Sequence, residues 1–359
     1  MLRKISEIDK NLLVPETLEL PDVKWYGAGD AWFNLYGACG NCGDGPFRRL
    51  PQKIAEEANP GVAALATNTA GIRLRLRTDS PYVAIHAEWD VMCAFSHMPF
   101  TGTSGFDLYR VKDGIQEFAG TFVPPLGSAH GYESVLLSPG GMQDLIIYFP
   151  LYNNVTKLYV GVRENSSLET PGQYSVPRPV VFYGSSITQG GCASRPGNAY
   201  QNMLSRGLDI DVVNLGFSGS ARGEKVIAEY IAGLSMKAFV LDYDHNAPDV
   251  DHLSRTHYPF YKIIREKNPE LPIILLSKPD GRNINPDAYE QNLKRAEVVR
   301  GTYERAVSEG DKHIRFIDGF SLFEGDELWA ATVDTCHPND LGFYWFYRKL
   351  KPVLADLIR

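Results

Sequence analysis

A serine, a glycine-rich turn, a side-chain amide and an Asp-His pair occur in segments whose residue types and spacing could do nucleophilic chemistry. The first segment is Gly184-Ser185-Ser186-Ile187-Thr188-Gln189-Gly190, directly after the apolar run Pro179 to Tyr183. A serine on a sharp strand-to-helix turn is exposed, and the backbone N–H groups that follow it face the same space. The segment is not a G-x-S-x-G elbow, because Thr188 stands where the second glycine would be. The second, Asn214 to Ser220, carries Gly216 and Gly219, and glycines allow a backbone to approach a ligand closely. The third, Asp242-Tyr243-Asp244-His245-Asn246-Ala247-Pro248, offers an amide at a strand end, which can donate to a developing oxyanion. The fourth, Asp334-Thr335-Cys336-His337, sets a carboxylate three residues before an imidazole. Such a carboxylate can hold one ring nitrogen while the other faces a nucleophile. Taken singly, each segment also has an ordinary structural reading: a Gly/Ser turn, a strand-to-helix turn, an Asx turn before Pro248, a loop histidine capped by a nearby carboxylate.

These segments gain meaning from the elements around them. Short apolar runs at Pro179 to Tyr183, Asp211 to Leu215, Ala238 to Asp242, Ile273 to Leu276 and Ile314 to Ile317 alternate with helical patterns. The helices are expected over Asn198 to Arg206, Glu224 to Ile231, His252 to Lys267, Ala288 to Val307 and Asp340 to Ile358. That alternation predicts a parallel sheet covered on both faces, with its site beyond the carboxyl ends of the strands. The first half reads differently. Ile72, Leu74 and Leu76 alternate with Arg73, Arg75 and Arg77, the period of a half-buried strand. Further strand patterns at Tyr82 to Ile85, Phe106 to Val111, Glu117 to Phe122, Glu133 to Leu137, Asp144 to Phe149 and Lys157 to Val162 are separated by Gly, Pro and Asn turns. Short strands at this spacing predict an antiparallel β-sandwich, jelly-roll-like. The expected organisation is therefore a β-sandwich over 1–165, a Ser- and Pro-rich linker over 166–178 and an α/β unit over 179–359.

Residues Pro179 to Arg359, with all four segments in order, resemble the SGNH, or GDSL-like, hydrolase superfamily. The resemblance implies a three-layer, flavodoxin-like α/β/α domain. It puts Ser186 on the nucleophile, Ser186, Gly219 and Asn246 on the oxyanion hole, and Asp334 with His337 on the remaining triad positions. Two positions depart from the family pattern. Ser185 stands where the family has Asp, and Asp244-His245-Asn246-Ala247 stands where it usually has Gly-x-Asn-Asp. In the first half, Gly105-Phe106-Asp107-Leu108-Tyr109 matches the G-x-D-L-Y signature of a β domain that precedes some SGNH hydrolases, a pairing similar to bacterial carbohydrate esterases. What the resemblance implies is a serine esterase that deacetylates an acetylated carbohydrate, with no metal or organic cofactor. A lipid or acyl-thioester hydrolase, or a carbohydrate-binding protein with an inactive hydrolase domain, are the competing readings. His245, Trp329 and Trp345 are candidate substrate contacts, since aromatic faces suit sugar rings; the last two flank the Asp-His loop.

The chain has 359 residues with 44% hydrophobic and 22% charged side chains and a net charge of −7. That size exceeds what one core usually supports, the composition excludes disorder as the main state, and the acidic balance speaks against a nucleic-acid partner. The longest apolar run, Leu145 to Tyr152, is interrupted by Pro150 and falls far short of the ~20 residues that span a bilayer, so no membrane partner is expected. MLRKISEIDKNLL lacks the apolar stretch of a secretion signal, which gives a cytoplasmic expectation. The partner expected is a small-molecule or oligosaccharide ester, and the β domain could mediate homo-oligomerisation. Five cysteines are too few and too scattered for a disulfide framework. Cys39 and Cys42 read as loop thiols, Cys192 and Cys336 as small fillers beside the site, and His86 and His97 as ordinary surface or core histidines. His252 and His257 are five residues apart on one expected helix and do not share a face.

Overall fold

In the computed structural model the described residues are 8–9, 13–15, 17–279, 285–325 and 328–358. The first half forms strands β1 (Val23–Gly27), β2 (Asn34–Tyr36), β3 (Arg73–Thr78), β4 (Tyr82–Glu88), β5 (Phe106–Lys112), β6 (Ile115–Phe122), β7 (Gly131–Leu137), β8 (Gln143–Tyr148), β9 (Lys157–Arg163) and β10 (Leu168–Glu169). They build two antiparallel sheets, ordered β1-β9-β4-β7 and β10-β3-β8-β5-β6, with β2 also on β3. β3 and β4 are consecutive yet lie in different sheets, so the Asp79-Ser80-Pro81 turn crosses the sandwich. Leu74 and Leu76 of β3 point into the core with Val83, Ile85, Phe106, Leu108, Ile147 and Val160. The alternate residues Arg73 and Arg75 leave that core by the strand's two-residue period, but not into water: both are buried.

The second half is the expected parallel sheet. β11 (Val176–Gly184), β12 (Ile210–Gly216), β13 (Ala238–Asp242), β14 (Ile273–Leu276) and β15 (Ile314–Ile317) are arranged β12-β11-β13-β14-β15. Counted within this half, that is the 2-1-3-4-5 order of a doubly wound sheet. Odd and even residues divide between two apolar layers. Val181, Tyr183, Phe239, Leu241 and Leu275 face one side; Val180, Phe182, Val240, Ile274 and Leu276 face the other. Burial on both faces explains why these strands read as unbroken apolar runs.

Two features differ from the sequence expectation. The segment over 166–178 is not a free linker. Its Leu168 and Glu169 pair with Thr78 and Arg77, and Val176 already pairs with Ile210. Edge pairing uses backbone groups, so a Ser- and Pro-rich composition does not forbid it. Nor is the first half purely β. α1 (Gln52–Ala58) and α2 (Pro60–Leu65) lie between β2 and β3, and Leu50, Ala55, Val62 and Ala66 join the apolar layer of Val181, Leu215, Ile227 and Ile231. Helices this short give no reliable period, which needs a window of about 11–18 residues. Among the described residues no helix is long and apolar enough to cross a membrane.

Candidate active site

Ser186 opens the single helical turn α3 (Ser186–Gln189) at the carboxyl end of β11. The Ser185 side chain caps that turn, accepting from the Ile187 N–H at 3.1 Å. Serine thus fulfils the capping role open to the family's aspartate. The Gly190 amide caps the other end in a left-handed conformation. Behind the turn, Thr188 Oγ1 donates to Asp242 Oδ2 at 2.9 Å, and Gln201 and Asn214 both donate to the Thr188 carbonyl at 2.7 Å. Burial, reinforced by neighbouring Asp244, pushes the Asp242 carboxyl well above the usual carboxylate range.

The Ser186 hydroxyl lies 2.9 Å from His337 Nε2, and His337 Nδ1 lies 2.7 Å from Asp334 Oδ2. The loop that carries the pair is built around the carboxylate. Asp334 Oδ1 accepts the N–H groups of Cys336 at 3.1 Å and of His337 at 2.7 Å. Thr335, directly after Asp334, takes φ +65°, the left-handed region that a β-branched residue rarely occupies. Val333 N–H donates to the His337 carbonyl, and Asn339 caps the helix that follows, α4 (Asp340–Leu357). Burial alone would raise Asp334, but the His337 amide and imidazole and the Cys336 amide hold its carboxyl below the ordinary range. An ionised Asp334 fixes Nδ1 as the protonated nitrogen and leaves Nε2 free to accept from Ser186.

Free donors stand at the serine turn and on the neighbouring strand ends. Among the described residues the Ser186 and Gly219 N–H groups make no hydrogen bond. Gly219 sits at φ +64°, a conformation that glycine adopts without cost. The Asn246 amide spends one proton on the Phe217 carbonyl at 3.0 Å, two residues before Gly219, and keeps its second. Gln189 ties the same turn to the serine turn, accepting the Ser218 N–H at 3.0 Å. The arrangement can take a proton from a hydroxyl, offset the resulting imidazolium and receive a developing negative oxygen.

The first half contributes residues that sequence reasoning missed. Arg49 is fully buried and donates to five carbonyl or amide oxygens, including those of Asn214 and Gly216 at 3.0 and 2.7 Å. Among the described residues it has no carboxylate partner, and burial pulls its guanidinium down to about 9. Asn59 donates to the Ser220 carbonyl at 3.0 Å, so the Gly219 turn is held from outside the α/β unit. Tyr152 donates to the Ser186 carbonyl at 3.4 Å. His97, exposed as a surface histidine, lies with its ring 5.7 Å from that of His337 and 5.9 Å from Phe95. None of these carries a local motif; only the fold brings them to the Gly219 turn, Ser186 and His337.

The signature Gly105 to Tyr109 also finds a role. Asp107 accepts from Thr121 Oγ1, from the Gly197 N–H and from Arg195 at 2.7, 2.7 and 2.8 Å. Arg195 also donates to the Tyr109 hydroxyl at 2.6 Å. A Cβ at position 197 would lie 2.4 Å from the Tyr109 hydroxyl and 2.8 Å from Asp107 Oδ2, so any larger residue would displace this cluster. Nearby, Arg73 of β3 pairs with Asp211 of β12 and donates to the Val212 carbonyl at 3.1 Å. The arginine face of β3 is therefore an interface within the chain.

Other candidates fall elsewhere. His245 precedes Asn246 and pairs its Nδ1 with Asp244 at 3.0 Å; burial lowers its imidazole despite that carboxylate. Trp345 packs on Phe323, with ring centroids 5.6 Å apart, so the core on the α4 side takes it up. Trp329 is 69% exposed on the turn before the Asp334 loop. His252 bonds the Arg222 carbonyl and His257 bonds Thr302, on separate faces as expected. Cys39 and Cys42 are free thiols, the first 3.7 Å from the Tyr230 hydroxyl.

Comparison with known proteins follows the same division. Residues 177–355 match the GDSL-like lipase/acylhydrolase family, and residues 23–168 match the N-terminal GxDLY domain of SGNH-hydrolase-type esterases. Among curated proteins none matches the sequence. A candidate GDSL-like lipase from Bacteroides ovatus is similar at 28% identity and TM-score 0.84, covering 94% of this chain and 98% of its own. The salicylyl-acyltransferase SsfX3 of a tetracycline biosynthetic pathway shares the fold at 22% identity and TM-score 0.77, with the same coverage, 94% and 98%. An acetyl xylan esterase, Est2A, from Butyrivibrio proteoclasticus shares it at 13% identity and TM-score 0.56, covering 93% and 98%. The carboxyl-terminal sheet, the site at its strand ends and the two family matches agree, and the chain belongs to the SGNH, or GDSL-like, hydrolases in the two-domain esterase form.

Proposed function

We propose that the chain is a serine esterase working through Ser186, His337 and Asp334, and that it removes acetyl groups from a carbohydrate. The observation that carries this reading is the continuous line from Ser186 Oγ through His337 to Asp334, at 2.9 and 2.7 Å. In this reading His337 takes the serine proton as Oγ attacks the ester carbonyl, and Asp334 steadies the imidazolium. The N–H groups of Ser186 and Gly219, with the second amide proton of Asn246, receive the oxyanion. His337 then protonates the leaving sugar hydroxyl, and water repeats the cycle on the acetyl-enzyme.

The substrate class rests on the ground around the serine. Phe95, His97 and Tyr152 bring aromatic faces to the His337 side, and such faces suit sugar rings. The fold shared with an acetyl xylan esterase points the same way. The test measures acetate released from acetylated oligosaccharides, alongside hydrolysis of short and long p-nitrophenyl esters, by wild type and Ser186→Ala. Acetate release by the wild type alone is expected. Rapid cleavage of long-chain esters with no acetate from any saccharide would move the assignment to a lipid hydrolase. Equal rates for wild type and Ser186→Ala on p-nitrophenyl acetate would leave a carbohydrate-binding protein.

A further inference from the structure

Beside the serine, His97, Cys192 and His337 bring one imidazole nitrogen, one thiol and a second imidazole nitrogen within 4.8 Å of one another. We propose that these three residues bind a thiophilic divalent cation, zinc above all, and that its arrival switches the site off. The binding itself does not depend on the esterase reading; only the inhibitory consequence rests on it.

The donor set selects the metal. One sulfur and two imidazoles suit zinc and its borderline-soft neighbours, and do not suit magnesium or calcium, which take oxygen ligands. Three protein ligands leave the fourth tetrahedral position for water or for the Ser186 hydroxyl. Zinc–sulfur and zinc–nitrogen bonds of about 2.3 and 2.0–2.1 Å require ligand atoms to close up from the observed spacing. His97 can supply that movement, since it is exposed while Cys192 is buried.

The surroundings match what metal sites use. His337 has Nδ1 engaged with Asp334 at 2.7 Å, so only Nε2 can ligate. A carboxylate behind a ligating histidine is the usual outer shell, fixing the ring and raising its basicity. Cys192 is held in a left-handed conformation at φ +71°, a strain of the kind that persists at ligand clamps. Its N–H donates to Met98 Sδ at 3.4 Å, which ties the loop carrying His97 to the residue carrying the thiol. Tilted ring contacts of His97 with Phe95 and with His337, at 5.9 and 5.7 Å, would explain the rings, but not the thiol beside them.

The chemistry balances simply. The cation enters as the dication, Cys192 binds as thiolate, and its proton leaves to solvent. His337 Nε2, the atom that would accept the serine proton, then carries the metal. The sandwich loop becomes fixed to the α/β half at the same moment.

The test titrates the full chain with cobalt(II), following the sulfur-to-cobalt charge-transfer band, then displaces cobalt with zinc. Isothermal calorimetry gives stoichiometry, and the same zinc series is run against p-nitrophenyl acetate hydrolysis. One equivalent with a thiolate band is expected, and affinity should fall about tenfold or more in His97→Ala and in Cys192→Ser. Cys336→Ser should keep the band. Circular dichroism melts of each variant verify that it is folded. No band, a band lost in Cys336→Ser instead of Cys192→Ser, or unaltered affinity in His97→Ala would overturn the site. A band without inhibition at the same zinc concentration would overturn the switch. An inactive wild type that still shows the band would count against the esterase reading alone.

Discussion

At the scale of single residues, Asp334 does two separable jobs. One oxygen accepts two backbone N–H groups and shapes the loop, while the other faces His337 Nδ1. Asp334→Asn divides them. The asparagine carbonyl can still receive the Cys336 and His337 amides, so the loop should keep its form. Its NH₂ group would face Nδ1 and force that nitrogen to accept. The ring proton then moves to Nε2, which can no longer take the serine proton. We expect kcat to fall by about 10⁴-fold with little change in KM or in thermal stability. A loss below about tenfold would mean that the carboxylate only shapes the loop. The residue types at this site were legible in the chain because the Asp-x-x-His spacing is local. Cys192 reads in the sequence only as a small filler beside the site, and His97 as an ordinary surface or core histidine, because His97 is far from His337 in sequence and neither carries a ligand spacing of its own.

At the scale of elements, the helices over Val250–Lys267 and Pro286–Ser308 meet through a buried polar contact. His257 Nδ1 lies 2.8 Å from Thr302 Oγ1, whose hydroxyl donates to the Val298 carbonyl at 3.2 Å. With that hydroxyl proton spent, His257 must donate from Nδ1, which leaves Nε2 unprotonated and, among the described residues, without a hydrogen-bond partner. The ring also stacks on Tyr243. Burial pulls the imidazole down to about 4. The unfolded chain takes up this proton near pH 6.5, while the folded chain resists until about 4. Unfolding is therefore favoured progressively as pH falls through that window, by about 3 kcal/mol in all, and the loss levels off below it. His257→Phe keeps the stack and removes the titration. Urea midpoints should show it slightly weaker than wild type near neutrality and stronger at the acid end of the window. Parallel curves at both ends would show that His257 does not set the acid sensitivity. Both helices were legible from their period, as were the parallel strands from their apolar runs. Their mutual contact was not, since pattern reports which face is apolar and not which polar atom meets which.

At the scale of the whole molecule, the two halves share parts. Leu50, Ala55 and Val62 complete an apolar layer of the parallel sheet, and Arg49 and Asn59 hold the turn before and after Gly219. The alternation of β3 promised a face of three arginines, and the natural place for such a face is water. Instead Arg73 and Arg75 are buried, because the second half brings Asp211 and the Val212 carbonyl to Arg73, while Tyr174 lies beneath the Arg75 guanidinium at 4.6 Å. Sequence could divide the chain into two folds but could not show that the division is an interface. The signature Asp107 tests how deeply the halves depend on each other. Its carboxylate is fully buried and receives Arg195, which also lies 3.9 Å from the Phe118 ring centre. Burial raises the carboxyl, and Arg195, Thr121 and the Gly197 amide oppose that rise. Asp107→Asn keeps an acceptor but removes the charge, leaving the guanidinium without its counter-ion. Breaking a buried pair costs about 3–5 kcal/mol, and partial exposure of Arg195 discounts that to about 2–3 kcal/mol. If the halves form one cooperative unit, calorimetry should show a single transition moved to lower temperature, with ester hydrolysis lost along the same curve. A split into two transitions, with hydrolysis following only the second, would show that the parallel sheet stands without the sandwich.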